Sequence, residues 1–224
     1  MDPHACIIVF AKAPDPGTVK TRLIPALGAQ GAATLHEKLV RHTLATVTQP
    51  HLCAIELWCT PSPSLVWPHP FFARCQNDFP VGLRQQCGDD LGARMHHALE
   101  TALQKYSYAI VIGTDCPALT ASYLQAALDN LRQGKNAVLG PAQDGGYVLI
   151  GVRQSHPRLF SGVAWGTASV LNETRARLAT LNWQWQELAE QWDIDRPEDL
   201  SRLEIIFAET PANGNRDQIP PGKK

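Results

Sequence analysis

Several signatures of common protein classes are missing from this sequence of 224 residues. Its six cysteines include no C-x-x-C pair, so the spacing indicates neither a zinc site nor a dense disulfide framework, and we expect most of them to be reduced core residues. No apolar run reaches the roughly eighteen residues that a membrane-spanning helix needs. The first ten residues also lack a basic signal-peptide start. These absences lead us to expect a cytoplasmic protein.

An excess of charge of either sign is also missing. The net charge is −1, which provides no overall field to attract nucleic acid or an acidic membrane surface. Any binding site for an anion must therefore be local. The hydrophobic fraction of 44% and the charged fraction of 18% are typical of a globular protein with a sizeable core.

Predicted strands and helices alternate along most of the chain. Apolar runs predict strands at about 5–10, 53–59, 81–86, 108–113, 136–140, 147–152 and 183–188. Helical spacing and capping residues predict helices at 31–47, 88–103, 120–134, 167–181 and 195–208, and the proline-rich segment 61–80 reads as a loop with one short helix. This order predicts a single α/β domain over 1–209, with a mostly parallel sheet between two layers of helices. The break in alternation after Asp144 predicts a mixed sheet, and the polar tail 210–224 is predicted to be disordered.

The stretch 7–23 carries the strongest functional signal. A buried strand delivers Lys12, Gly17, Lys20 and Arg22 to its carboxyl end, where α/β proteins commonly bind phosphate groups. The loop is not a Walker A motif, because Val19 stands where that motif requires glycine, and the dinucleotide pattern G-x-G-x-x-G is absent. The alternative is that the three cations are simply solvated loop charges.

A single aspartate follows the most hydrophobic predicted strand. Asp115 lies in the segment Gly113-Thr114-Asp115-Cys116-Pro117, where a carboxylate is well placed to bind Mg²⁺ or Mn²⁺ and so bridge phosphates. Its structural alternative is a turn-forming or capping residue before Pro117. Cys116 could be a nucleophile activated by the following helix, but no partner base is identifiable.

Two glycine-containing turns supply further candidates. Asp144, in the segment 143–147, could reach a metal ion, a ribose or an acceptor, and the glycine pair after it permits close approach of a ligand. A tight turn chosen for its φ angles is an equally good interpretation. Arg94 follows Gly88-Asp89-Asp90, a possible helix start that could face an anion, with the two aspartates as ordinary N-caps in the alternative interpretation.

A literal D-x-D occurs only near the end of the chain, at Asp193-Ile194-Asp195. This spacing is typical of metal-binding carboxylates. Asp195 and Glu198, however, also have the spacing of a capping box for the last predicted helix. The sequence therefore leaves open whether Asp195 is a metal ligand or a helix cap.

Three of these motifs, taken in order, resemble the DUF2064 family of glycosyltransferase-A-like transferases: 12–23 (KAPDPGTVKTRL), 113–117 (GTDCP) and 140–147 (GPAQDGGY). The resemblance spans about residues 7 to 200. It implies the nucleotide-diphospho-sugar transferase fold, a single α/β domain with a seven-stranded mixed sheet.

Two further segments are more distantly similar to nucleotidyltransferases. Residues 19–23 are similar to the lysine-serine-arginine-leucine loop of 2-phospholactate guanylyltransferases, and 193–200 to the closing motif of molybdenum-cofactor nucleotidyltransferases. By that resemblance Lys20 and Arg22 would contact nucleotide phosphates, Asp115 would ligate the metal ion, and Asp195 would lie near it as a second carboxylate.

Together these features predict a transferase that depends on Mg²⁺ or Mn²⁺ and uses a nucleoside triphosphate or a nucleotide sugar as donor. Lys20, Asp115 and Asp144 are the predicted catalytic residues, and the predicted phosphate-binding residues are Lys12, Gly17, Lys20, Arg22 and Arg94. The acceptor is a small molecule, and the choice between nucleotidyl and glycosyl transfer stays open. The alternative function is a nucleotide-binding module without turnover.

Overall fold

The computed structural model describes residues 1–60 and 67–203. The strands are β1 (Asp2–Ala11), β2 (Cys53–Cys59), β3 (Gly82–Gln85), β4 (Tyr108–Ile112), β5 (Ala137–Pro141), β6 (Tyr147–Val152) and β7 (Trp185–Glu187). The α-helices in this part of the chain are α1 (Ile24–Thr48), α2 (Pro70–Asp78), α3 (Leu91–Leu103), α4 (Ala121–Arg132) and α5 (Val170–Thr180). Short 3-10 helices lie at Thr21–Leu23, Pro157–Leu159 and Pro197–Asp199.

The seven strands form one mixed sheet in the order β3-β2-β1-β4-β6-β5-β7. All neighbouring pairs are parallel except the two that involve β6, which runs antiparallel to β4 and β5. The predicted α/β fold with a mixed second half is therefore confirmed. Because β2 and β4 lie on opposite sides of β1, the chain reverses its direction of winding there, and such switch points open a crevice at the carboxyl ends of the strands.

The alternation of side chains along β1 explains why helices cover both faces of the sheet. Ile7 and Val9 point into one core, which they share with residues of α1, α2 and α4. Cys6 and Ile8 point into the other core, shared with α3 and α5. A strand that is buried on both faces reads as a continuous apolar run, which is how the sequence presents it. The result is the predicted three-layer arrangement.

Most differences from the predicted elements lie at helix ends. Helix α1 begins at Ile24 rather than 31, with a break in the helical backbone at Gly28, where φ is 69°. Helix α5 begins at Val170 rather than 167, because the hydroxyl of Thr167 instead donates to the carbonyl of Ala164 in a turn. The predicted end of the last helix and the predicted tail, from 204 onwards, lie outside the described residues.

The cysteines agree with the sequence-based expectation. All six cysteines are free, and all but Cys87 are buried. In the part of the chain that the structure describes, no helix is both long enough and apolar enough to cross a membrane.

Asp2 links the start of β1 to Tyr108 and Arg132 through its side chain. We therefore expect the protein to lose stability in acid. Burial alone would raise its pKa, but hydrogen bonds from Tyr108 and Arg132 outweigh that effect and lower the pKa from 3.8 to about 2. Since the folded state favours the ionised carboxylate, its contribution is present above about pH 4 and is lost as the pH falls towards 2. We expect Asp2→Asn to lower the free energy of unfolding at pH 7 by about 1–2 kcal/mol, after allowance for the half-exposed Arg132.

Urea unfolding at a series of pH values measures this contribution. The difference between wild type and Asp2→Asn should narrow as the pH falls from 4 to 2. Asp78→Asn is a matched control, since Asp78 forms an exposed pair with Arg41 at 2.8 Å, and such pairs contribute little. A difference that did not change with pH would contradict the assignment.

Candidate active site

Lys20 is the best-anchored cation of the loop that follows β1. Its side chain is only 3% exposed, and its ammonium lies 2.8 Å from Oδ1 of Asp115. It also donates to the backbone carbonyl of Ile194. Its backbone has φ 47°, a left-handed conformation that is uncommon for a residue with a side chain. The structure thus brings together two of the predicted site residues, which are far apart in the sequence.

Asp115 lies just beyond the carboxyl end of β4, at the switch point between β1 and β4. Its side chain is 51% exposed, so the carboxylate can still be reached from solvent. Desolvation would raise its pKa, but the ion pair and hydrogen bond from Lys20 outweigh that effect and hold the pKa below its ordinary value. The carboxylate is therefore ionised and available to a cation.

Cys116 does not have the character of a nucleophile. Its side chain is buried, and this burial raises the pKa of the thiol to about 12. The thiolate, which is the reactive form, is therefore scarce at neutral pH. The thiol chemistry considered from the sequence has no support in this geometry.

Three histidines contact the loops around this crevice, and no metal-type spacing in the sequence singles them out. His36 donates through Nε2 to the carbonyl of Lys12 at 3.1 Å, and His42 bonds the carbonyl of Pro117 at 3.0 Å. Nε2 of His69 lies 3.3 Å from the carboxylate of Asp15. Burial lowers the pKa of His36. These contacts fix the backbone of the β1 and β4 loops.

Residues 191–195, here called the closing segment, cross the carboxyl edge of the sheet. At one end, Gln191 pairs with the end of β5 through the carbonyl of Pro141 and the amide of Gln143. Further along, the amide of Ile194 donates to the carbonyl of Asp115 at 2.8 Å. The side chain of Ile194 is fully buried in a small cluster with Leu23, and this packing holds the segment over the site.

The two aspartates of the D-x-D motif have different surroundings. Asp195 pairs with Arg22, and both side chains are partly exposed. Asp193 is half-buried, and desolvation followed by the negative charges of Asp144 and Asp115 raises its pKa to about 6. Asp193 is therefore the aspartate that interacts electrostatically with Asp115 and Asp144. The resemblance to nucleotidyltransferases had suggested Asp195 for that position.

The predicted capping box between Asp195 and Glu198 is wrong. Asp199 supplies the cap instead, because its Oδ2 accepts hydrogen bonds from the amides of Asp195 at 3.1 Å and Arg196 at 2.8 Å. The carboxylate of Asp195 is consequently not used as a helix cap. Its predicted role as a metal ligand stays a prediction.

The turn between β5 and β6 presents Asp144 at the same edge. Oδ1 of Asp144 accepts a hydrogen bond from the amide of Gly146 at 2.8 Å, which confirms the tight-turn interpretation. Gly145 has φ 87°, and a Cβ there would lie 2.4 Å from the carbonyl oxygen of Ala168. The turn is therefore packed directly against the backbone that leads into α5, while Asp144 itself is exposed.

The other predicted phosphate-binding residues are placed less closely together. Arg94, at the start of α3, donates through Nε to the carbonyl of Gly88 at 2.9 Å, and Asp90 rather than Asp89 is the N-cap of that helix. Lys12 is exposed at the end of β1. Gly17 has φ 85° and open space around it, which fits a turn and also leaves room for a ligand.

The residues present fit a metal ion only in part. Among the described residues, no group of three or more His, Cys, Asp or Glu side chains is placed to hold one. Asp115 and Asp193 could supply oxygen ligands, and burial followed by the negative charges of Asp144 and Asp115 raises the pKa of Asp193. Mg²⁺ is commonly bound by one or two carboxylates together with substrate phosphates, so this donor set fits a cation that arrives with a nucleotide.

Solved structures share this fold. A protein of Desulfovibrio desulfuricans G20, provisionally named a nucleotide-diphospho-sugar transferase, is 31% identical, with a TM-score of 0.81 over 91% of this chain and 88% of its own. A CMP:2-keto-3-deoxy-manno-octonic acid synthetase complexed with CTP is 11% identical, with a TM-score of 0.54 over 91% and 98%. The inositol-1-phosphate CTP transferase of T. maritima is 12% identical, with a TM-score of 0.57 over 92% and 95%. The last two similarities show the fold alone.

The family follows from the sequence comparison. The comparison with curated proteins gives no match. The model of the family described as an uncharacterized protein conserved in bacteria (DUF2064) matches residues 43–167, which is more than half of the chain. Together with the 31% identity over nearly the whole chain, this confirms the resemblance seen in the motifs. The chain belongs to the DUF2064 family, and its fold is that of the nucleotide-diphospho-sugar transferases.

Proposed function

We propose that the protein is a metal-dependent transferase whose donor is a nucleoside triphosphate or a nucleotide sugar. The observation that carries this proposal is the meeting of Lys20, Asp115 and the closing segment at the switch point of the sheet. Ligands of open α/β sheets bind in the crevice at this point. An ionised carboxylate beside a fixed ammonium is suited to a ligand that combines phosphates with a cation.

The cations of the β1 loop would hold the donor phosphates. Lys12 and Arg22 are exposed, and the side chain of Lys20 is buried. Arg22 can exchange its partner Asp195 for a phosphate at little cost, because a partly exposed ion pair contributes about 0–1 kcal/mol. Positive charge fixed around the transferred group stabilises the negative charge that develops on the leaving phosphate.

Asp115 and Asp193 would hold the divalent cation, which supplies charge neutralisation and orientation of the phosphates when bound. The charges around Asp193 favour it over Asp195 as the second carboxylate. With a cation in place, the pKa of Asp193 would fall, because its charged form would gain a partner.

Asp144 would face the acceptor from the opposite side of the crevice. Its turn is rigid, since the Gly145 carbonyl accepts from the amide of Leu171 at 2.9 Å and the turn closes on itself through Ala142. A carboxylate held in such a turn is suited to orienting a nucleophile and removing its proton. The names of two structures of the same fold, one a CTP complex and one a CTP transferase, agree with a nucleotide donor.

Thermal-shift measurements with the four nucleoside triphosphates and common nucleotide sugars test the proposal. We expect one nucleotide class to raise the melting temperature by several degrees, and to do so only with Mg²⁺ or Mn²⁺, because a ligand that binds the folded state alone stabilises it. If no nucleotide stabilised the protein with or without metal, the donor proposal would fail. Stabilisation without metal and without turnover would instead favour the nucleotide-binding module.

A further inference from the structure

A polar groove of about 440 Å³ opens beside the turn that carries Asp144. Gln143 and Gly145 line it from the turn, Asn172 and Arg175 from α5, Glu187 from β7, and Glu190 from the residues that follow. This volume falls within the range of small-molecule sites. Because β5 and β7 lie beyond β6, the groove is on the side of Asp144 away from Lys20 and Asp115.

Arg175 is the one cation among the described residues that line the groove, and it is already engaged. Nε and one terminal nitrogen of Arg175 donate to the two carboxylate oxygens of Glu187, at 2.8 Å and 2.7 Å. Its other terminal nitrogen donates to Oδ1 of Asn172 at 2.9 Å. Such a two-pronged pair is strong and leaves the guanidinium no positive charge to spare for a ligand. Arg202, at the rim, donates to Oε1 of Gln143 at 3.2 Å and stacks on Trp192.

These contacts also orient the two amides. Since Arg175 and Arg202 can only donate, the oxygens of Asn172 and Gln143 face them, and the NH₂ groups of both side chains are left as donors. Within the described part of the chain, neither NH₂ group has a hydrogen-bond acceptor, and the carboxylate of Glu190 has no ion pair or hydrogen bond. The groove thus combines two amide donors with one uncompensated carboxylate acceptor.

These groups can form hydrogen bonds with hydroxyls, and the carboxylate of Glu190 repels anions. Each hydroxyl both donates and accepts, so a vicinal pair can accept from an amide and donate to Glu190. A phosphate or carboxylate would instead face Glu190, and the one cation among the described residues that line the groove, Arg175, is already paired with Glu187. An anion there would be repelled by Glu190, and the two neutral amides offer it only weak compensation.

We propose that this groove binds the acceptor of the transfer reaction, and that the acceptor is an uncharged polyhydroxy compound rather than a phosphate ester. This inference rests on the proposed function, because a groove can bind an acceptor only if the protein is a transferase. It narrows the reaction to attack by a hydroxyl oxygen, because the described residues that line the groove offer an acceptor phosphate no unpaired cation.

The transfer step balances with the groups named. The hydroxyl oxygen of the acceptor forms a new bond to the transferred carbon or phosphorus of the donor. The bond from that atom to the leaving phosphate oxygen breaks, and the leaving phosphate keeps the electron pair. The acceptor proton passes to the carboxylate of Asp144 and from there to solvent.

Binding of matched pairs tests the inference without a known donor. The ¹⁵N-labelled full chain is titrated with myo-inositol and inositol 1-phosphate, glucose and glucose 6-phosphate, and glycerol and glycerol 3-phosphate. We expect the neutral member of at least one pair to shift the side-chain amide signals of Gln143 and Asn172, with an affinity at least about tenfold above that of its phosphate. Equal or tighter binding of the phosphates, or no amide shift with any of the six compounds, would overturn it.

Charge reversal gives a second readout. Glu190→Lys should reduce or invert the preference for the neutral compound over its phosphate. Glu100→Lys, at an exposed position of α3 outside the groove, should leave that preference unchanged. An unchanged preference in Glu190→Lys would contradict the role of this carboxylate. If a neutral compound bound but no nucleotide stabilised the protein, the inference about the groove would stand and the proposed nucleotide donor would be contradicted. The two proposals can therefore fail separately.

Discussion

Asp115→Asn should abolish the metal-dependent part of nucleotide stabilisation and lower turnover by about 100-fold or more. Asparagine keeps the shape of the side chain but removes the negative charge that lies 2.8 Å from Lys20 and faces the crevice. A neutral amide is a weak ligand for Mg²⁺, so the phosphates would lose their cation. Thermal shifts with and without Mg²⁺, measured with the nucleotide that stabilises the wild type, give the binding effect, and a transfer assay gives the rate.

Asp78→Asn serves as the control for this substitution. It removes the same charge at an exposed pair with Arg41, at the end of α2, and should leave both readouts within experimental error. Intact metal-dependent turnover in Asp115→Asn would show that the catalytic interpretation of this aspartate is wrong. Retained nucleotide binding without metal would favour a binding module.

Lys20→Met should weaken nucleotide binding by about tenfold or more and also destabilise the protein by about 1–3 kcal/mol. The substitution leaves the carbonyl of Ile194 without its lysine donor and the carboxylate of Asp115 without its cation. The pKa of Asp115, which desolvation raises and Lys20 lowers, should rise in the variant. The acidic limb of the pH–rate profile should therefore move to higher pH.

Chemical unfolding, nucleotide titration and the pH profile together check this prediction. Lys38→Met removes a lysine from an exposed position of α1 and should change none of the three. If Lys20→Met lost stability but kept its nucleotide affinity and pH profile, Lys20 would be a structural tie alone and not a phosphate ligand.

Local sequence patterns were sufficient for most of the sheet. The bounds of β2 and β6 match the predictions, because each is an apolar run that ends at turn-forming residues. The convergence of Lys20 and Asp115 at one edge also followed from the rule that the carboxyl ends of parallel strands meet. The ion pair between the two side chains could not be predicted in this way. It depends on the buried position of the Lys20 side chain, which also donates to the carbonyl of Ile194.

The distinction between Asp193 and Asp195 was beyond local reasoning. The two aspartates flank Ile194, one on each side. The sequence alone does not show which of them faces the crevice. The pairing of Gln191 with β5 and of Ile194 with Asp115 fixes this direction. Both are contacts between distant parts of the chain, and the cap from Asp199 shows that even a familiar motif can shift by a residue when such contacts decide the backbone path.

The closing segment gives the site an unusual dependence on the order of synthesis. Lys20 and Ile194 are separated by 174 positions, so the crevice is complete only after nearly all the described residues have left the ribosome. A nascent chain that has already paired β1 with β4 still lacks Asp193 and the partner of Arg22. Closing so long a loop carries an entropic penalty and slows assembly. We therefore expect an unfinished chain not to bind the proposed donor, and binding competence to be acquired late in folding.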